Sequence, residues 1–415
     1  MRKIVSVSFF TGLLTLFKMG AGFAIGKVVA IYAGPGGLAV IGQLQGIASI
    51  LTGITNSPVG PGIVKYTSEK SAQGISMCAY WWRAGLVWLL ALCSIIIPLT
   101  VMFSEDISMY LFSESKYKNF IIVISLLLPL SGIGTFITSV INGFQHYKQY
   151  IAIGFASVFV SSLVMIVLTF KLGILGALIA TSIQLGVIGV VIIFLSLKQR
   201  WLKVTLLWGR IEKHHFIDIK NYVLMALVSA FALPAALVFI RKIMIADCGW
   251  QDTGEWQAVW KISEAYLAII TMALATYYLP TISKLTDKKL IEKEVRNNLM
   301  FVFPLVVLMA IIIFILKDII IQVLFTEEFK EARRLFLIQL VGDVIKVLAW
   351  LYSYVLLAKG MTKLFIVIEL SFAFIFVLVS YLCIHYYGIE GANYAYAATY
   401  ILYFVAVRFG FNKYV

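Results

Sequence analysis

Charged residues are scarce in this chain, at 13% of its 415 residues, whereas 61% of the residues are hydrophobic. Soluble domains average about 45–50% apolar and about 25% charged residues. A water-soluble fold could not bury so much apolar surface, so the composition excludes one and predicts a protein embedded in lipid. Because a spanning helix needs about 20 mainly apolar residues, the chain has room for roughly twelve helices with their turns.

Cysteine and histidine are also rare, with four of each. The cysteines form no C-x-x-C pair and no ligand spacing with the histidines, which argues against a disulfide framework, a metal site and a bound cofactor. The sequence contains neither a Walker A motif nor a G-x-S-x-G motif. We therefore expect a transporter driven by gradients or mass action rather than an enzyme.

Charges, prolines and glycines divide the apolar segments from one another. They predict spans at residues 4–31, 38–63, 76–103, 120–145, 150–170, 173–197, 220–246, 256–283, 298–316, 334–358, 364–386 and 391–411. The predicted fold class is an all-α polytopic membrane protein with two six-helix lobes. The N-terminal lobe is residues 1–200, a basic cytoplasmic inter-lobe loop is 201–219, and the C-terminal lobe is 220–415.

Lysine and arginine are unevenly distributed between the two sides of the membrane. With the N-terminus in the cytoplasm, 20 of the 34 basic residues fall on the cytoplasmic side, 7 on the opposite side and 7 inside spans. The positive-inside rule then predicts an inner-membrane protein with both termini cytoplasmic. The net charge of +14 is explained by this asymmetry, which indicates contact with the phospholipid bilayer rather than with nucleic acid.

An internal repeat relates the two halves of the sequence. Leu172–Ala180 matches Tyr387–Ala395 at an offset of 215 residues. The same offset relates three further pairs: Lys27 and Lys242, Gly34 and Gly249, and Lys148 and Lys363. Because six is an even number, the two lobes would have the same topology, in parallel repeats related by an axis along the membrane normal. Transporters of this design usually bind their substrates where the two halves face each other.

Ten charged residues lie inside the predicted spans when those near span ends (Lys220, Arg334 and Arg408) are counted with the loops, and each costs about 2.5–3.5 kcal/mol at a helix centre. They are therefore expected to face a wet interior or one another. The basic ones are Lys18, Lys27, Arg83, Arg241, Lys242, Lys261 and Lys346, and the acidic ones are Glu264, Asp343 and Glu369. All the basic ones except Arg83 are candidates for a cationic, substrate-binding cavity. Arg83 follows two tryptophans and fits an interfacial anchor better, and Lys27 could equally snorkel to the interface.

Two of the acids are spaced to pair with a lysine. Lys261 and Glu264, like Asp343 and Lys346, are three residues apart and share a helix face. Each pair is either a structural ion pair or a gate that opens when an anionic ligand competes for the lysine. Glu369 has no cation nearby on its own helix, so it is a candidate coupling-ion site or the partner of a lysine on another helix.

Aromatic residues crowd the second, eighth and tenth predicted helices. Trp256, Trp260 and Tyr266 are the candidates for stacking against sugar rings, with packing or an interfacial belt as the alternative role.

The order of several short stretches resembles the Wzx flippases of the multidrug/oligosaccharidyl-lipid/polysaccharide exporter superfamily, particularly those for the enterobacterial common antigen. The stretches that carry the resemblance are Gly34–Leu38, Ile240–Ile243, Trp256–Gln257, Ile262–Leu267, Tyr278–Thr281, Gln339–Val344 with Lys346, and Ala358–Lys359. The resemblance covers essentially the whole chain. It implies a V-shaped central cavity that opens alternately to either side.

The resemblance also implies a cargo, namely an oligosaccharide linked to undecaprenyl pyrophosphate. An O-antigen unit and enterobacterial common antigen lipid III both remain open as that cargo, because Lys261 stands where the pattern has a small residue. A polysaccharide polymerase and a chain-length regulator are the implied protein partners. The alternative is a multidrug exporter of the same fold, but cationic drugs require acidic residues, and the first lobe's spans contain none. A glycan polymerase or ligase is disfavoured because the predicted outer loops are short.

Overall fold

The computed structural model describes residues 2–199, 201–211 and 213–414, and this described part is helical, without a strand. Met1 and Arg200, the latter counted above among the cytoplasmic cations, lie outside the described residues. The helices are α1 (Arg2–Asn56), α2 (Pro61–Lys70), α3 (Ile75–Met102), α4 (Ser104–Phe112), α5 (Lys118–Leu126), α6 (Leu128–Gly143), α7 (Tyr147–Ser196), α8 (Val204–Leu207), α9 (Lys213–Ala273), α10 (Leu279–Lys284), α11 (Lys288–Leu324), α12 (Phe336–Ala358), α13 (Thr362–Tyr387) and α14 (Ile389–Tyr414). A π-helical turn, Leu274–Tyr278, joins α9 to α10.

Seven helical stretches among the described residues are long and apolar enough to span a membrane. Two of them are much longer than one crossing requires, Phe10–Gln73 with 64 residues and Tyr147–Ser196 with 50. At about 1.5 Å per residue, 50 helical residues would measure about 75 Å, against about 30 Å of hydrocarbon. The all-helical, polytopic fold predicted from composition is thus confirmed, whereas the number of twelve spans stays a prediction.

The predicted inter-lobe loop, residues 201–219, differs from the structure. The short helix α8 lies inside it, and α9 already begins at Lys213. The bounds of the loop were predicted from the end of the apolar run, which indicates where a helix leaves the hydrocarbon. A helix satisfies its own backbone hydrogen bonds in water as well as in lipid, so it can extend beyond that point.

Three of the long helices are broken at a single glycine. The breaks are at Gly34 (φ 59°) in α1, Gly173 (φ 59°) in α7 and Gly249 (φ 86°) in α9. A fourth glycine, Gly388 (φ 59°), separates α13 from α14. Residues with a side chain rarely adopt a φ of this sign, which explains why glycine occupies these turns.

The breaks recur at the 215-residue offset found in the sequence. Three pairs of left-handed residues are related by it: Gly34 and Gly249, Gln145 and Gly360, and Gly173 and Gly388. The close packing after the last pair also recurs. A Cβ on Gly176 would lie 1.9 Å from the carbonyl oxygen of Leu168, and one on Gly391 would lie 2.1 Å from that of Cys383. The same turn is therefore built twice, which supports an internal duplication.

The chain forms two compact units, Met1–Ile25 with Gln43–Ala235, and Gly26–Gly42 with Ala236–Val415. The predicted lobes, 1–200 and 220–415, follow the sequence repeat instead and stay a prediction. In the first unit, Trp82 is fully buried, and its indole N–H donates to Thr67 Oγ1 at 2.8 Å.

Arg83 also serves the first unit. Its guanidinium donates to the backbone carbonyls of Thr205 and Leu206, both at 3.0 Å, and so closes the end of α8. This role agrees with its exclusion from the predicted cavity.

Within the second unit, the segment Gly26–Gly42 packs closely against α9. A Cβ on Gly254 would lie 1.8 Å from the carbonyl oxygen of Pro35, and one on Gly42 would lie 2.9 Å from the Gln257 side chain. Only glycine permits the first approach, because backbone atoms cannot move aside as a side chain can. This contact holds Gly42 against Gln257, whose side chain accepts a hydrogen bond from Arg241.

Candidate functional site

A group of buried polar side chains, which we name the polar core, lies inside the second unit. It consists of Ser263, Tyr266, Gln339, Asp343, Lys346 and Tyr396. Asp343 is fully buried, and three hydroxyls donate to its carboxylate at 2.7 Å each, those of Ser263, Tyr266 and Tyr396. The donors come from α9 and α14, whereas Asp343 lies on α12. These hydrogen bonds replace those that the carboxylate would make to water if it were exposed.

The ammonium of Lys346 lies in a cage of aromatic rings. Four ring centres surround its Nζ at 5.1–5.4 Å, those of Trp260, Trp350, Tyr396 and Tyr400. Cation–π contacts of this kind stabilise a desolvated cation. The expected ion pair between Asp343 and Lys346 is not formed in the described structure, because hydroxyls satisfy the carboxylate and rings surround the ammonium.

Three tyrosines of α14 form a ladder that runs away from Asp343. Tyr396, Tyr400 and Tyr403 are spaced i, i+4 and i+7, so they share one helix face, and all three are buried. Their ring centres are 4.8 Å and 5.9 Å apart. We name them the tyrosine ladder.

The far end of the ladder reaches Glu369 on α13. The Tyr403 hydroxyl donates to Glu369 Oε1 at 2.5 Å and lies 2.9 Å from Ser353 Oγ. Glu369 therefore has a hydrogen-bond donor on a neighbouring helix, rather than the lysine that was the alternative expectation. The ladder joins two carboxylates, the buried Asp343 at one end and the half-buried Glu369 at the other.

Arg241 is buried beside the close approach of Gly42 to α9. Its Nε donates to Gln257 Oε1 at 2.7 Å, and the side chain is 5% exposed. Its Nη1 atom has no hydrogen-bond partner among the described residues. A buried guanidinium N–H without a partner is costly, so this atom is a ready donor for an anionic group. The neighbouring Lys242 is half-buried.

Lys27 binds the end of a helix. Its Nζ donates to the carbonyl oxygens of Gln322, at 2.9 Å, and of Phe325, where α11 ends. A cation there satisfies free carbonyls and complements the helix dipole. In this structure Lys27 therefore supports the fold of the second unit, although the sequence placed it among the cavity cations.

The remaining predicted charges do not join the polar core. Lys18 belongs to the first unit, has an exposed side chain, and makes no hydrogen bond or ion pair within the described part of the chain. Lys261 is half-buried and Glu264 is exposed. No salt bridge joins these two among the described residues, so the second expected ion pair is also not formed.

The aromatic rings predicted to stack on sugars are covered by protein. Trp256 and Trp260 are 1% and 2% exposed and pack on each other with ring centres 5.1 Å apart. Tyr266 is occupied by its hydrogen bond to Asp343. A sugar stacking on these faces would have to displace side chains, so here the rings belong to the core, and glycan stacking stays a prediction.

Sequence reasoning missed the tyrosine ladder and the role of Ser263. The ladder carried a signal, because tyrosines at i, i+4 and i+7 mark one helix face. Ser263 carried none, since a serine in an apolar helix commonly bonds its own backbone. Only the packing of α9 against α12 brings its hydroxyl to Asp343.

Comparisons with known proteins agree over nearly the whole chain. A family model described as "Polysaccharide biosynthesis protein" matches residues 44–334. The lipid III flippase of Escherichia coli (strain K12) is 29% identical over 409 residues, which cover 97% of this chain and 96% of that protein.

Solved structures share the fold at low sequence identity. An inward-facing MATE family multidrug resistance transporter of the MOP superfamily matches with a TM-score of 0.80 at 13% identity, covering 97% of this chain and 98% of the other. The lipid II flippase MurJ, in an inward closed conformation, matches with a TM-score of 0.73 at 13% identity, covering 98% of this chain and 87% of the other. The prediction of a transporter rather than an enzyme is confirmed by the proteins found in these comparisons.

Proposed function

This chain belongs to the polysaccharide biosynthesis protein family, and from that premise we propose that it is a flippase for undecaprenyl-pyrophosphate-linked oligosaccharide. The glycolipid would pass from the cytoplasmic to the periplasmic leaflet of the bacterial inner membrane by alternating access. The lipid III flippase of Escherichia coli, 29% identical along nearly its full length, supports this proposal. The family membership itself was predicted from the sequence and is confirmed.

The observation that carries the proposal is the buried Arg241 with its unpartnered Nη1. A guanidinium matches a phosphate in charge and shape and can donate two parallel hydrogen bonds to it. The predicted spans contain seven basic residues against three acidic ones, which also favours an anionic cargo. Lys18, Lys242 and Lys261 are the further cations that we propose to meet the diphosphate.

We further propose the architecture predicted from the sequence, with twelve helices in two parallel six-helix repeats around a central cavity and both termini in the cytoplasm. The recurrence of left-handed turns at a 215-residue offset supports the repeat. Glycines within the two longest apolar stretches would allow each to cross the membrane twice.

The polar core and the tyrosine ladder are proposed to couple transport to a proton gradient. Tyrosine hydroxyls at both ends of the ladder donate to a carboxylate, Asp343 or Glu369. A proton arriving at either carboxylate would turn an acceptor into a donor, so the hydroxyl would have to reverse its hydrogen bond. Such a change within packed helices would trigger a conformational step. Glu264 is exposed. Its proposed gating role rests on the attraction between its charge and that of Lys261, three residues before it.

The test is the fate of the lipid-linked oligosaccharide in cells. In a strain that lacks this protein and every redundant flippase, undecaprenyl-pyrophosphate-linked units should accumulate facing the cytoplasm. Mass spectrometry of extracted lipids would identify the glycan and distinguish an O-antigen unit from lipid III. Normal glycan export in that strain would refute the proposal.

Arg241 offers the matched variant for this test. Arg241→Gln should lower complementation by at least about tenfold, since it removes a charge-assisted contact of about 1.5–3 kcal/mol. Lys330→Gln, which removes an exposed cation of the same unit outside the proposed site, is the control and should leave complementation unchanged. Equal complementation by wild type and Arg241→Gln protein would remove Arg241 from the substrate site.

Drug export by the same fold is the second candidate, favoured by the MATE structure with a TM-score of 0.80. Charge reversal of Lys18 and Arg241 separates the two functions. It should abolish flipping of an anionic lipid, whereas efflux of a cationic drug would be spared.

A further inference from the structure

A basic cavity of about 470 Å³ lies within the second unit, away from the polar core. Three helices line it, namely the first turns of α11 and the last turns of α12 and α14. Four cations reach the cavity, Lys289, Lys293, Arg296 and Arg408, together with one carboxylate, that of Glu292. All four are among the 20 basic residues on the predicted cytoplasmic side.

The cations of α11 are arranged on one helix face. Lys289, Lys293 and Arg296 are spaced i, i+4 and i+7, which puts them on the same side over two turns. No salt bridge of these three, or of Arg408, is formed among the described residues. The Glu292 carboxylate, three residues after Lys289 and four before Arg296, offsets part of the repulsion between these like charges, and an anion in the cavity would offset the rest.

The floor of the cavity is apolar and rigid. Val295, Tyr352 and Phe411 are 3%, 6% and 4% exposed, whereas the side chains of the four cations are exposed at the rim. Arg408 Nη1 donates to the Tyr352 hydroxyl at 2.6 Å, and the Tyr352 ring packs edge-on against Phe411 with ring centres 5.5 Å apart. One cation of the rim is thus fixed in place by the floor.

The position of the cavity along α11 matches the height of lipid headgroups. The helix has 37 residues, which at about 1.5 Å each exceed the roughly 30 Å of hydrocarbon. The charged residues of its first turns end at Arg296, and the apolar run begins at Leu299, which also lines the cavity. The cavity therefore lies where α11 leaves the hydrocarbon, on the side predicted to be cytoplasmic.

We propose that this cavity binds the phosphate of an anionic lipid headgroup at the cytoplasmic face of the membrane. Lysine and arginine donors converging on one space suit phosphate oxygens, and the apolar floor suits the first carbons of a lipid chain. Two lipids carry such a group, an isoprenoid diphosphate and an anionic phospholipid. Only the first source rests on the proposed flippase function, for which the cavity would be the initial docking point of the cargo.

The experiment measures lipid binding to the purified, detergent-solubilised full chain. The probes are farnesyl diphosphate, phosphatidylglycerol and, as the reference whose zwitterionic headgroup has no net charge, phosphatidylcholine. Binding is followed by native mass spectrometry. The test variant is Lys293→Gln with Arg296→Gln. The control is Lys288→Gln with Lys363→Gln, which removes the same charge from residues that do not line the cavity. Thermal unfolding of each variant checks that the exposed substitutions leave the fold intact.

Loss of two charge-assisted contacts should weaken binding of an anionic probe by about tenfold or more in the test variant, and by less than about twofold in the control. A selective loss for farnesyl diphosphate identifies the cargo headgroup as the ligand, and a loss for phosphatidylglycerol alone identifies the phospholipid. Equal binding by the test variant and the control to both anionic probes overturns the inference. That result would leave the flippase proposal standing, since the latter is decided by glycolipid accumulation in cells.

Discussion

Asp343 and Lys346 lie within one turn of each other on α12, yet each is stabilised separately. Hydroxyls from α9 and α14 bind the carboxylate, and aromatic rings surround the ammonium. A buried charge without such partners would cost several kcal/mol, because it would lose its hydration and gain nothing in return. The pair is thus maintained by three helices, and movement of any one of them changes the environment of both charges.

At this scale we expect Glu369→Gln to uncouple transport without unfolding the protein. The amide oxygen can still accept the hydrogen bond of the Tyr403 hydroxyl. The free energy of unfolding should therefore change by no more than about 1 kcal/mol, as a thermal unfolding curve would show. The amide cannot take up a proton, however, so flipping should lose its dependence on an imposed pH gradient. The measurement is transport of a fluorescent glycolipid analogue in proteoliposomes with and without that gradient.

Asp106→Asn is the matched control, because it removes one exposed carboxylate in the first unit. It should leave the gradient dependence unchanged. If Glu369→Gln protein still responds to the gradient as wild type does, the tyrosine ladder does not end in the coupling carboxylate.

At the scale of elements, the long helices owe their breaks to a turn that is used twice. In each copy a left-handed glycine is followed three residues later by a glycine that packs on a backbone carbonyl. These are Gly173 and Gly176 in α7, and Gly388 and Gly391 between α13 and α14. The first glycine permits the turn, and the second permits the two helices to approach closely.

Gly391→Ala should therefore be strongly destabilising. Its Cβ would lie 2.1 Å from the carbonyl oxygen of Cys383, and backbone atoms cannot yield without moving α13 away from α14. Overpacking of this kind typically costs about 1–3 kcal/mol, so the melting temperature in detergent should fall measurably.

Gly22→Ala is the control, since no heavy atom lies within 4 Å of a Cβ built there. Alanine is the better helix former, so this variant should be neutral or slightly stabilised. Equal melting temperatures for Gly391→Ala and wild type would mean that α13 and α14 are not packed as described.

At the scale of the whole molecule, charge asymmetry and the repeat together predict the topology. Twenty of the 34 basic residues lie on one predicted side, and an even number of helices returns the chain to it. The cavity of α11, α12 and α14 contains four of those cations. The excess of basic residues on this side, which indicates contact with the bilayer, thus includes four cations that line one cavity.

Labelling of single cysteines checks this topology. In a chain whose four native cysteines are replaced, Lys116→Cys should react with a membrane-impermeant maleimide in intact spheroplasts. Lys203→Cys should react only after permeabilisation, because it lies in the basic stretch predicted to be cytoplasmic. Both side chains are exposed, so accessibility is decided by the membrane rather than by burial. The reverse labelling pattern would show that the protein has the opposite orientation in the membrane, with the basic cavity on the periplasmic side.

Composition was sufficient for the lipid-embedded helical fold, because apolar length is a property of the chain itself. The family was predicted from the resemblance of short stretches, and the duplication from residues that recur at one offset. Composition and spacing also singled out Arg241 and Glu369 as charges needing an explanation. They failed for the partners of those charges. The pair expected between Asp343 and Lys346 on one helix is replaced by contacts between helices, and the pair expected between Lys261 and Glu264 is not formed among the described residues.

The contacts of Lys27 and of the tryptophans could not be predicted for the same reason, since they depend on residues distant in the sequence. Lys27 binds carbonyls almost 300 positions away along the chain, and Trp260 packs against Tyr396 of α14 as well as against Trp256. A sequence shows which side chains must find a partner, since burial without one is too costly. Which partner each finds depends on how the helices pack, and that packing is known only from the folded molecule.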